Sequence, residues 1–226
     1  EKLGEWVIET ALEQMESWHE RGLTVPVSVN VSARQFQQTD FVERLRCLLA
    51  AHPNIRPGDL ELEILETSAL EDLEWVSEII RSCKEFGVSF ALDDFGTGYS
   101  SLTYLKRLAV HQLKIDQSFV RDMLDDPDDL AILEGVLGLA NAFQRQVIAE
   151  GVETVVHGEM LLRLGCDLAQ GFGIARPMTA DELPGWIATW SPDPAWHDLP
   201  VVSSLDLPVI FSSTSHRAWV SNLEKF

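Results

Sequence analysis

Two hydrophobic periods alternate along this chain. Over residues 3–21, Leu3, Val7, Ala11, Met15 and Trp18 recur at helical spacing, and Gly22 follows as a stop signal. A β-rich run, VPVSVNV, occupies residues 25–31. Phe41, Leu45, Leu48, Leu49 and His52 mark a second helix, and residues 60–65 (LELEIL) alternate with the period of two that suits a strand. Leu73, Val76, Ile79, Ile80, Cys83 and Phe86 form a third helical stripe, closed by Gly87. The strand at 88–92 runs straight into Asp93, Asp94, Phe95 and Gly96. A short helix near 100–108, a strand at 112–115, a helix near 128–143 and a strand at 146–149 come next. A helix at 153–164 and a strand at 167–170 follow, and Leu183, Trp186, Ile187 and Trp190 lie on a last amphipathic helix near 180–190.

Six strands alternating with helices every 20 to 35 residues or so are the pattern of a parallel α/β protein. It is either a doubly wound sheet or a (β/α)8 barrel, and no Gly-x-Gly-x-x-Gly turn after the first strand supports the former. A barrel needs about two more strands. Since the first helix opens within a few residues of Glu1, those strands would lie upstream, and a TIM-type barrel is expected to be N-terminally incomplete here. The barrel domain is expected over residues 1–190. Residues 191–226, rich in Pro, Ser and Asp, read as a linker and the start of a further C-terminal element.

Polar residues gather where the strands end. Asn30 closes the first, Glu63 lies in or near the end of the second, and Asp93 and Asp94 end the third. Lys114 and Asp116 end the fourth, Glu150 the fifth and Gln170 the sixth. In a parallel barrel these ends open on one face, where active sites are built. Clustered carboxylates in a partly dry site repel one another, so they protonate or bind cations. Such oxygen donors suit Mg²⁺ or Mn²⁺ rather than zinc. There are enough of them for two ions, the standard device for hydrolysing phosphate esters. Lys114 could then hold or help deprotonate the attacking water, or stabilise developing charge.

Each residue alone also has a plainer role. A strand-end Asp is commonly a turn or helix cap. Asp94 could be only a turn former, Lys114 a structural partner of Asp116, and Glu66 a loop hydrogen-bond acceptor. Glu153 and Thr154 look like helix-start residues. Of Glu61 and Glu63, one is expected to face the barrel interior or its mouth, with Glu61 as the solvated partner unless strand tilt reverses the two. One polar group at the end of every strand is what the single readings do not explain together.

Charge narrows the possibilities. The chain has 17 Lys+Arg against 36 Asp+Glu in 226 residues, a formal charge of −19. This argues against binding a nucleic-acid polymer or an anionic lipid surface. No apolar run approaches a membrane span, and Glu1, Lys2 and Glu5 interrupt any secretory pattern at the start, so a cytoplasmic location is expected, with membrane anchoring of a parent protein left open. Cys47, Cys83 and Cys166 are far apart and read as reduced, mostly buried thiols. The six histidines show no metal-ligand spacing and read mostly as surface residues.

Several strings are longer than spacing alone requires. They are VNVSA at 29–33, LELEILE at 60–66, DDFGTGYSSL at 93–102, LKID at 113–116, AEGVET at 149–154, and QGF at 170–172 with Arg176 and Pro177. Over residues 3–190 the chain resembles the EAL-domain cyclic-di-GMP phosphodiesterases. The resemblance implies a (β/α)8 barrel that hydrolyses cyclic di-GMP to linear pGpG with two Mg²⁺ or Mn²⁺ ions. It implies Asn30, Glu63 and Asp93 as ligands of one ion, and Asp93, Asp94 and Glu150 as ligands of the second. Lys114 would contact the attacking water and Gln170 the water and phosphate, with Glu150 and Glu66 completing the catalytic set. Glu66 would anchor the loop from Asp94 to Ser101, which couples dimerisation to metal binding in the family. Ser32, Gln170, Phe172 and Pro177 would line the substrate, the last two near a guanine base.

The resemblance further implies a homodimer and fusion to upstream sensor or diguanylate-cyclase-like domains. The Glu-Ala-Leu motif that names the family does not occur, and family order places it before Glu1. Leu65 replaces a frequent Thr, and His216 with Trp219 faintly resembles the start of a chemoreceptor-type zinc-binding domain. The competing functions are a catalytically silent cyclic-di-GMP receptor and, from the donor set alone, an enolase-like Mg²⁺ barrel with Lys114 as base.

Overall fold

The computed structural model describes residues 2–98 and 102–197. They divide into two compact units, one running to Leu113 and the other beginning at Lys114. The first holds α1 (Lys2–Glu20), β1 (Val27–Asn30), α2 (Ala33–Phe36), α3 (Phe41–Ala51), β2 (Leu60–Leu65), α4 (Glu66–Glu71), α5 (Leu73–Lys84), β3 (Ser89–Phe95) and α6 (Leu102–Arg107). The boundary falls within β4 (Gln112–Ile115). The second holds α7 (Gln117–Asp122), α8 (Pro127–Ala142), β5 (Gln146–Ala149), α9 (Val155–Arg163), β6 (Leu168–Ala169) and α10 (Leu183–Thr189).

In the first unit the strand order is β1-β2-β3-β4. The first two pairings are parallel, with Asn30 level with Glu63 and Leu65 level with Asp93. His111 N donates to Phe90 O at 2.8 Å and leads from β3 into β4. The helical crossovers cover the sheet, so β2 is buried at five of its six positions. Phe36 packs on Phe41 and Phe90 at centroid distances of 5.1 and 6.0 Å, and Trp75 Nε1 donates to Phe36 O at 2.5 Å. Burying each such aromatic contributes roughly 1.5–3 kcal/mol. Burial pushes the Cys83 thiol up to about 12, which keeps it protonated and unreactive.

In the second unit the order is β4-β5-β6. Glu150 N donates to Ile115 O and Gln170 N to Ala149 O, at 3.2 and 2.9 Å, so the ladder continues past each strand into the residue that follows it. β6 keeps only two residues of the strand expected at 167–170. The core gathers Ile115, Val120, Leu133, Ile148, Ala149, Val152 and Leu161, all at most 3% exposed. Asp116, Asp126 and Thr154 cap α7, α8 and α9 by accepting from Ser118 N, Asp128 N and His157 N.

One expectation fails. Glu61 is not solvated but 1% exposed, and its Oε1 accepts from Ser28 Oγ at 3.1 Å. Residues two apart on a strand share a face, so Glu61 lies on the Glu63 side of β2, and both faces of the sheet are covered. Histidines were expected mostly at the surface, and among the described residues His157, 7% exposed, is the buried exception. Among the described residues no helix is long and apolar enough to cross a membrane. His216, Trp219 and the rest of the expected C-terminal element lie outside the described residues.

Candidate active site

Polar side chains stand at the strand ends in each unit. In the first, register puts the side chains of Asn30 and Glu63 on one face of adjacent strands. Asn30 is exposed, while Glu63 is 3% exposed. Val31 N donates to Glu63 O at 2.9 Å, which fixes this end of β2 against β1.

Asp93 and Asp94 are consecutive residues of β3, and regular strand geometry would send their side chains to opposite faces. The backbone prevents this. Asp94 has φ 54°, in the left-handed region that few non-glycine residues enter. The turn in the chain brings a carboxylate oxygen of Asp94 within 4.8 Å of one from Asp93. Two oxygen donors at that separation fit a hard divalent cation, and the buried Glu63 carboxylate on the neighbouring strand is of the same kind.

Glu66, at the start of α4, is fully buried. Its Oε2 accepts from Gly96 N at 3.0 Å and from Gly98 N at 3.2 Å, tying the segment after Asp94 to α4. Burial raises its pKa above the usual carboxylate value, and the two amides pull it part of the way back. Burial and the charge of Glu66 push the Tyr104 phenol upward in turn. Residues 99–101 of the loop lie outside the described residues. Ser32 is exposed, and both its N and its Oγ donate to Gln35 Oε1 at 3.2 Å. That hydroxyl proton is thus held by Gln35.

In the second unit Lys114, Glu150 and Gln170 meet. Lys114 Nζ lies 2.7 Å from Glu150 Oε1, and Gln170 Nε2 donates to the same oxygen at 3.0 Å. The lysine side chain is 4% exposed and the glutamate 15%, so the pair is shielded from solvent. Asp116 is engaged locally, accepting from the amide and hydroxyl of Ser118. Gly151 makes the exit from β5 possible. It sits at φ 79°, and a Cβ there would lie 2.6 Å from Gln117 Cβ. Phe172 is 56% exposed, with the Arg176 guanidinium 4.9 Å from its ring centroid, and Pro177 is exposed close by in sequence.

Gln35, Tyr104 and Arg176 were not singled out for roles in the sequence. Gln35 had a readable signal, since Ser followed three residues later by Gln is a capping box.

Residues 1–177 match the EAL domain family. The chain belongs to that family. This EAL domain is 41% identical over 183 residues to the bifunctional diguanylate cyclase/cyclic di-GMP phosphodiesterase MucR of Pseudomonas aeruginosa, covering 80% of this chain and 27% of MucR. It is 36% identical to the cyclic di-GMP phosphodiesterase PA2567 of the same organism, over 82% of this chain and 31% of the relative. The chain thus spans less than a third of either relative's length. Among solved structures, the MucR phosphodiesterase in complex with c-di-GMP superposes with a TM-score of 0.77 at 41% identity, covering 80% of this chain and 74% of that one. The EAL domain of Mycobacterium smegmatis DcpA gives the same TM-score at 39% identity, over 82% and 84% of the two chains. The fold expected from the resemblance is therefore that of this EAL domain, with six of its strands among the described residues.

Proposed function

We propose that this EAL domain hydrolyses cyclic di-GMP to linear pGpG with the aid of two divalent ions, Mg²⁺ or Mn²⁺. The observation that carries the reading is the left-handed turn at Asp94, which sets two successive carboxylates together at a strand end. The names of the relatives, cyclic di-GMP phosphodiesterases, support the substrate.

By the resemblance, Asn30, Glu63, Asp93, Asp94 and Glu150 would hold the ions. Such ions lower the pKa of water and neutralise phosphate charge. Water adds across one phosphodiester bond, its oxygen to phosphorus and its hydrogen to the departing ribose oxygen. Lys114, paired with Glu150, would donate to the attacking oxygen through Nζ. Gln170 orients the Glu150 carboxylate and the phosphate. Phe172 and Pro177 offer apolar surface to a guanine base, and Ser32, oriented by Gln35, presents its hydroxyl oxygen to substrate. Glu66 holds the loop from Asp94 to Ser101, through which a second copy would dimerise.

The test is turnover of cyclic di-GMP by the chain with Mg²⁺ or Mn²⁺, with Ca²⁺ as a control. Hydrolysis to pGpG with the first two ions, lost in Asp93→Asn and in Glu150→Gln, is the expected result. Unchanged hydrolysis in either variant would refute the two-ion assignment. Tight binding of the dinucleotide with no turnover under any ion would instead establish the silent-receptor reading. Light scattering of Glu66→Ala checks the loop, with a loss of dimer expected.

A further inference from the structure

Residues 194–196 (Pro-Ala-Trp) form a single 3-10 turn that packs on α9 within the second unit. The turn is preorganised. Asp193 accepts from Ala195 N at 2.9 Å, and Pro194 fixes φ at the first position. From this turn the Trp196 indole lies over the start of α9. Its Nε1 donates to Val155 O at 2.9 Å. Its ring covers Gly158, where a Cβ would come within 2.6–2.7 Å of Cε2, Cζ2 and Nε1. Val155 and Gly158 are three residues apart and so share a helix face. Glycine is a poor choice inside a helix. Its presence here is accounted for by the seat it leaves for the indole.

The same turn of α9 is braced from a second direction. Thr154 Oγ1 accepts from His157 N at 3.3 Å and lies 3.2 Å from His157 Nδ1, and that imidazole is buried. The residues entering this turn begin at Glu150. Between them Val152 is fully buried, its N donating to Gln170 O at 3.1 Å and its O accepting from Gly173 N at 2.8 Å. Displacement of the start of α9 is therefore felt at Val152, which is bonded to the segment carrying Gln170 and lies two residues from Glu150.

We propose that Trp196 is a positioning residue: the Asp193–Trp196 turn latches α9, and the seated helix holds Glu150 where it meets Lys114 and Gln170. This rests on the phosphodiesterase reading of those three residues. The segment after α10 is then a working part of the second unit rather than a spacer, and whatever pulls on the chain beyond His197 pulls first on Trp196.

The experiment uses the whole chain with three single variants and one double. W196F keeps a ring but loses the donor, W196A removes both, and G158A leaves the indole no seat. In the native background G158A lowers the denaturation midpoint. In the W196A background it raises it, because alanine is the better helix former once the seat is unused. Amide exchange over residues 155–159 speeds up at least tenfold in W196A and G158A. In both, kcat falls five- to tenfold with KM within twofold of native, and W196F falls between. A shift of the same sign in both backgrounds, or unchanged exchange, overturns the latch. Faster exchange with native kcat overturns the positioning role. A native chain without turnover defeats the phosphodiesterase reading and the positioning role with it, while the two G158A shifts still decide the latch.

Discussion

Glu66 has no exposed surface, yet two backbone amides converge on one of its oxygens. Burial favours the protonated form and the amides favour the ionised form, and burial prevails. A carboxyl whose folded pKa is raised binds its proton more tightly folded than unfolded. Its contribution to stability is therefore complete below the unfolded value and declines as pH rises through the raised folded value. Urea midpoints recorded from about pH 4 to 7 should show a decline that Glu66→Gln removes; parallel curves would contradict it. At Lys114 and Glu150 the hazard is a weakened buried ion pair. Glu150→Ala takes one carboxylate away from a lysine that is 4% exposed and should lower the midpoint of chemical denaturation; an unchanged midpoint would contradict it. Glu61 shows how a residue can be misread. Alternation with leucine looks like a half-exposed strand, but it reports exposure only where one face meets water, and here β2 is buried on both faces.

At the scale of elements, strands were legible wherever β-branched and aliphatic runs met a turn signal, and β2 and β4 have the bounds their patterns predict. The long helices α1, α3 and α5 were legible because three or more turns display a stripe. The short helices α2, α4 and α7 were missed, since four to six residues are too few to show a period. Of their caps, the readable one was Asp116, a strand-end Asp of the kind that commonly caps a helix. The positions of the site residues were legible from strand ends, but the turn that unites Asp93 with Asp94 was not. It is a property of one φ angle, to which hydrophobic patterning is blind. Thr154 should behave as an ordinary cap: Thr154→Ala is expected to cost about 1 kcal/mol in the same denaturation experiment. Gly151→Ala should cost about 2 kcal/mol or more, because strain at φ 79° adds to the approach to Gln117.

For the whole molecule the acidic excess sets the response to salt. With a charge of −19 the chain repels itself, and screening weakens that repulsion once the Debye length shrinks to about 10 Å near 0.1 M salt. The melting temperature in EDTA should therefore rise as NaCl goes from about 0.01 to 0.15 M; a fall would mean that attractive ion pairs dominate instead. A strongly acidic protein takes up a dianionic dinucleotide only when cations reverse the local field. Asp94 shows the opposite side of the same arrangement. Its backbone would be relaxed by glycine, and its charge is one more contribution to the repulsion. Any selection for folded yield alone, in a library or in a lineage that has ceased to need turnover, should accumulate Asp94→Gly or Asp94→Asn early. Such changes would leave the melting temperature level or higher and, under the proposed function, remove hydrolysis, so loss of the proposed activity would lie downhill from the native sequence.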